Sequence, residues 1–147
     1  LDAASGHATG AAVQQSATDT TAGRLMRADW GYGPGNLLGT VSQTGGVPTG
    51  AVIQEGTNGN GRYVRFADGT QICSGTKTAS TSAGVTWTFP AVFGSPPIVT
   101  ANVVSDMEPK IATLSGLIAS EVELHCWTSA GTRSGDEVQA LAIGRWY

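Results

Sequence analysis

Five consecutive residues constrain this chain most. Val85, Trp87 and Phe89 alternate with Thr86 and Thr88. In an extended segment that period puts three large apolar side chains on one face and hydroxyls on the other. A helix would scatter them around its circumference. Nowhere in the chain do apolar residues recur at helical spacing over a dozen positions. Further strands are expected at 63–66 and 70–73, around the hairpin signal Ala67, Asp68 and Gly69. Pro96 and Pro97 open another strand, Ile98–Val104, where a missing N–H need not join the ladder. Strands at 111–118 and 121–127 meet at Ala119 and Ser120, and a last strand covers about 138–146. Short strands separated by turn signals predict an all-β fold, an antiparallel β-sandwich. Its core is expected to hold Trp87 and Phe89 near Phe93 and Ile98.

Composition says how such a sandwich is used. Charged residues make up 13% of the chain, against roughly 25% in ordinary soluble domains. Gly supplies 21 of 147 residues. A lone domain of this size needs more surface charge to stay soluble, so the balance favours an oligomer. The net charge of −3 and the presence of only two lysines argue against a nucleic-acid surface. No apolar run approaches the ~20 residues of a membrane span. The opening residues have neither a basic start nor an apolar core, so no signal peptide is expected. Leu1 in place of a Met predicts a piece of a longer protein.

Residues 1–46 are rich in Ala, Gly, Thr and Ser. Alone they bury too little to offset the entropy of ordering. They are either disordered or wound around copies of themselves. Leu25, Met26, Trp30 and Tyr32 favour the second reading, as apolar anchors. The boundary is expected near Pro48, giving an extended, trimerising shaft at 1–47 and a sandwich at 48–147.

Two resemblances give these expectations a biological frame. The stretch 45–73, GGVPTGAVIQEGTNGNGRYVRFADGTQIC, resembles the signature of tail-fibre proteins of bacteriophages and prophages. The segment 20–33, TTAGRLMRADWGYG, looks like the shaft that often precedes a fibre tip. Residues 85–103, VTWTFPAVFGSPPIVTANV, and the ending VQALAIGRWY are similar to H-type lectins, over roughly residues 70–147. Those lectins are small antiparallel sandwiches that associate as trimers. Their sugar-contacting residues do not map onto this chain and are not carried over. The resemblance implies a homotrimeric receptor-binding tip, joined to upstream tail-fibre or baseplate proteins. It would attach to a bacterial surface receptor, expected to be a glycan, without membrane insertion. The protein would be made in the host bacterial cytoplasm and reside in the virion. A rival reading is a part that trimerises or caps a fibre and binds no receptor. A host-encoded lectin is disfavoured by the fibre-like segment 20–73. Cytoplasmic assembly argues for free thiols at Cys73 and Cys126, although a bridge is allowed if their strands are neighbours.

Candidate site residues follow from strand parity. Val122, Leu124 and Cys126 share one face, expected inward. Glu121, Glu123, His125 and Trp127 share the other. Trp has an apolar face and a polar N–H, suited to a sugar ring, but also to a subunit contact. The loop beyond carries Arg133, Asp136 and Glu137 on small residues. Trp127, His125, Arg133 and Asp136 are therefore the candidate ligand set. Trp127 would stack while the other three bond hydroxyls. The loop 105–110, with Asp106 and Glu108, is a second candidate but lacks calcium-loop spacing. The histidines are His7 and His125, without metal-binding repeats, and no metal or cofactor is expected. The Gly-rich stretch 56–61 reads as a turn rather than a phosphate loop. Nucleophile and metalloprotease motifs are missing. Glu121 and Glu123, ~7 Å apart along a strand, lack the cleft of a glycosidase pair. The chain is read as a non-enzyme.

Overall fold

The computed structural model describes residues 37–105 and 108–147, with the single positions 13, 22, 24 and 25. Most of the expected shaft, residues 1–36 apart from those single positions, lies outside the described residues, as do His7 and Asp106. The compact unit is Leu38–Tyr147. It opens with a small hairpin of β1 (Gln43–Thr44) and β2 (Val47–Pro48), turned by Gly45 and Gly46 at positive φ. Eight strands follow: β3 (Ile53–Asn58), β4 (Gly61–Phe66), β5 (Thr70–Thr78), β6 (Val85–Thr88), β7 (Ile98–Val104), β8 (Lys110–Ser115), β9 (Glu121–Thr128) and β10 (Glu137–Arg145).

These eight form two antiparallel sheets, one ordered β3-β4-β5-β10-β7 and the other β6-β9-β8. The protein is an all-β antiparallel sandwich. Alternation decides which residues fill the space between the sheets. From β6 come Trp87 and, just past its end, Phe89; from β9 come Val122, Leu124 and Cys126; from β10 come Val138, Ala140 and Ala142. Trp87, Phe89 and Phe93 stack edge to face, with centroids 5.0 and 5.2 Å apart. The geometry suits their ring quadrupoles. The Trp87 indole N–H donates to the Asn60 carbonyl at 2.9 Å, so the largest core side chain leaves no polar group unmet. It also lies over Gly75, where a Cβ would come within 2.5 Å of the indole nitrogen. Small residues on β5 and β10 thus make room for one large ring on β6.

The expected core needs one correction. Ile98 is 82% exposed. It pairs with Ile143 on the outer face of the five-stranded sheet, while Val99, Ala101 and Val103 pack against the core. Strand parity leaves no alternative once Thr100 and Asn102 face solvent. Cys73 and Cys126 are both buried and both free, on different sheets. Within the 56–61 stretch the turn is Gly59 and Asn60, and the flanking residues pair as the ends of β3 and β4. Gly69, at φ 97°, closes the β4–β5 hairpin, with its N–H bonded to the Phe66 carbonyl at 3.0 Å.

Candidate functional site

The outer face of the three-stranded sheet is built by register. Ser115 and Thr86 flank Glu123, Thr113 lies opposite His125, and Ile111 lies opposite Trp127. Residues paired across an antiparallel ladder share a face. The face is therefore polar in its middle, with aromatic rings toward the β9 end.

What completes it is the loop after β9. The Gly131 N–H bonds to the Thr128 carbonyl, and the Thr128 N–H to the Thr132 carbonyl. Gly131 takes φ 77° to allow this tight turn. The chain doubles back, and Arg133 forms a bridge directly opposite Trp127. The Arg133 guanidinium then lies over the Trp127 ring, 4.5 Å from its centroid, a cation–π contact. One of its terminal nitrogens stands 2.9 Å from His125 Nδ1. Arginine only donates, so Nδ1 accepts and the imidazole proton sits on Nε2. That nitrogen is 2.8 Å from Ser115 Oγ, and the serine hydroxyl donates to Glu123 Oε2 at 2.9 Å. A single directed chain of hydrogen bonds runs from Arg133 through His125 and Ser115 to Glu123. The Trp127 N–H is held by Thr113 Oγ1 at 2.8 Å, and the His125 and Trp127 rings lie nearly parallel, tilted by 27°.

Three of the four candidate residues, Trp127, His125 and Arg133, are thus in mutual contact. Asp136 is not among them. It pairs with Lys110 Nζ at 2.6 Å and accepts from Ser134. Lys110 has the parity of Ala112, which packs against the core, so this pair lies at the rim of the core side. The hydrogen bond from Lys110 holds the Asp136 carboxyl below its ordinary range, and the same bond raises the lysine. A carboxyl depressed in the fold contributes stability above its unfolded value, near 3.8, and loses it as pH falls through the folded value. Asp136→Asn is therefore expected to lose stability at neutral pH and to show a shallower acid limb below about pH 4. Urea midpoints measured from pH 7 down to pH 2 check this.

Sequence reasoning missed Ser115 and Thr113. Pairing 111–118 with 121–127 across a two-residue turn would set Leu124 and Cys126 opposite them; the five residues between β8 and β9 shift the register and set Glu123 and His125 there instead. Chemically the face offers a stacked aromatic, a fixed guanidinium and a carboxylate fed by a hydroxyl. It is an open surface suited to binding. No cluster of three metal-ligating side chains exists among the described residues. A concavity lies on the outer face of the other sheet. It is a groove of about 400 Å³ lined by Ser74, Thr76, Thr100, Asn102, Gln139 and Leu141.

No family model and no curated protein matches this chain. Among solved structures it is similar to the R2 pyocin fibre of P. aeruginosa, a structure of C-terminal residues 323–691. The TM-score is 0.51 at 20% identity, over 78% of this chain and 35% of that one. The tailspike protein gp49 of Pseudomonas phage LKA1 also matches, with a TM-score of 0.40 at 16% identity, over 53% of this chain and 15% of that one. This chain therefore spans about a third of the pyocin-fibre structure, and shares with part of it a β-sandwich fold.

Proposed function

We propose that this chain is the receptor-binding tip of a phage or prophage tail fibre, a virion component that attaches to a glycan on the bacterial surface. The observation that carries the reading is the Trp127–Arg133–His125 platform. An aromatic ring and the guanidinium stacked over it are held on an open sheet face, in reach of a surface-bound ligand. Three lines agree with it: the tail-fibre-like stretch 45–73, the shaft-like segment 20–33 and the fold shared with a pyocin fibre.

Trimerisation belongs to the same proposal. The outer face of the five-stranded sheet carries Ile98, Leu141, Ile143 and Val104, between 36% and 82% exposed. Ile98, Ile143, Ile72 and Val64 stand side by side across four strands. A contiguous apolar stripe on a sparsely charged domain favours burial against other copies. Three copies would also present three sites, raising a weak single-site affinity through avidity. A purely structural cap would use the same stripe but needs no ordered platform on the opposite sheet.

The test combines mass and attachment. Light scattering is expected to give three times the 15.0 kDa chain mass. The fluorescently labelled protein should bind host cells and lose that binding after their surface polysaccharide is stripped. A stable monomer at micromolar concentration would remove the trimer. Undiminished binding to stripped cells would remove the glycan.

A further inference from the structure

We infer that the platform is a clamp for a carboxylate-bearing sugar, with Arg133 as the group that selects the acid over a neutral hexose. The inference rests on the glycan reading above and narrows its ligand.

Arg133 is held from two sides. A guanidinium has five N–H donors in a rigid plane. Here one terminal nitrogen bonds His125 Nδ1 and the plane lies on Trp127. Among the described residues no carboxylate approaches it within ion-pair distance. The acids nearby are otherwise engaged. Glu123 accepts from Ser115, and Asp136 pairs with Lys110. Arg133 is thus a cation whose position is fixed from two sides while most of its donors stay open. Arg62 closes on Glu55, Arg65 on Gln71 and the Val92 carbonyl, and Arg145 on the Asp68 carbonyl, whereas Arg133 is an arginine without such an oxygen acceptor among the described residues. One that is held still by an aromatic ring and an imidazole, with its fork left open, is preorganised for an incoming planar anion.

His125 explains the fixity. Its side chain is only 11% exposed. Gly84 lies so close that a Cβ there would come within 2.6 Å of the imidazole Cε1. The ring cannot turn away. Its Nε2 proton is committed to Ser115, which leaves Nδ1 as an acceptor aimed at Arg133. Ser115 and Glu123 therefore act as positioning residues, setting the imidazole that sets the arginine. Beyond the guanidinium, the uncovered part of the Trp127 ring and Ile111 opposite it offer the apolar surface a pyranose ring needs. Charge selects the acid, and the aromatic edge selects a sugar over a bare anion.

The experiment uses the full chain, labelled with ¹⁵N, titrated with sodium glucuronate, its neutral methyl ester and glucose. Glucuronate is expected to shift the Trp127 indole N–H and the Arg133 side-chain N–H. The ester and glucose should need at least tenfold higher concentration for the same shift. Sodium acetate, a carboxylate without a ring, should also be at least tenfold weaker. Added salt should weaken the glucuronate response, because a charge pair formed on an open sheet face is screened by salt. Arg133→Gln should abolish the preference for the acid while leaving the circular dichroism unchanged. Arg133→Lys should fail to restore it, since an ammonium keeps the charge without the fork. Ser115→Ala should reduce the acid preference without touching any sugar contact, which a merely structural serine would not do.

Equal responses to glucuronate, its ester and glucose at Trp127 would overturn the carboxylate clamp and leave the glycan reading standing. Equal responses to acetate and glucuronate would overturn the sugar part of the inference. No response at Trp127 or Arg133 to any sugar, alongside attachment that survives stripping, would overturn both.

Discussion

Trp87→Ala is expected to cost about 3–5 kcal/mol of stability, the usual range for removing a large buried aromatic. The side chain is completely buried, packs edge to face on Phe89, and fills the space left by Gly75. Its loss opens a cavity between the sheets and strips the Asn60 carbonyl of its donor. That carbonyl sits at the β3–β4 turn, so the damage reaches from one sheet to the other. The neighbouring Thr86 is exposed on the outer face, and Thr86→Ala should cost well under ~1 kcal/mol. Urea unfolding of both variants, at one fixed protein concentration because assembly couples to stability, gives the comparison. Equal losses at the two positions would contradict the two-layer packing.

Trp127→Ala is expected to abolish attachment to host cells while the trimer stays intact and the melting temperature moves little. Losing a stacking aromatic costs roughly 1–3 kcal/mol per site, by analogy with stacked bases. In the proposed trimer, three linked sites would compound that loss in avidity. The substitution has a second effect, because the ring also supports the Arg133 guanidinium. Without it the arginine keeps only its bond to His125 and loses its fixed direction. Adsorption assays together with light scattering read both quantities. Loss of the trimer would make Trp127 a subunit contact, and unchanged adsorption would move the receptor site elsewhere.

Much of this architecture can be read from parity alone. The Val85–Phe89 alternation places Trp87 and Phe89 inside. The 121–127 strand divides into Val122, Leu124 and Cys126 against Glu123, His125 and Trp127, as found. Ile98 shows where hydrophobicity misleads. It is the largest residue in its strand, yet its parity partners are Thr100 and Asn102, and the period outranks the side chain. Buried Gln71 was not legible. It is satisfied by Arg65 and by the Ala91 carbonyl, both far along the chain or across a turn, and no local pattern announces such partners. Asp136 was grouped with Trp127 by proximity in sequence. A hairpin loop that reverses direction at Gly131 sends Arg133 to one face and Asp136 to the other rim. Loop geometry of that kind depends on a few backbone hydrogen bonds, not on periodicity.

The most direct measurement is a crystal structure of the protein with an oligosaccharide cut from the host surface polysaccharide. The account predicts a sugar ring seated against Trp127, with an acidic group bonded to Arg133, on the outer face of the three-stranded sheet. A sugar bound instead in the groove of Thr100, Asn102 and Gln139 on the other sheet, with the Trp127 face empty, would contradict it.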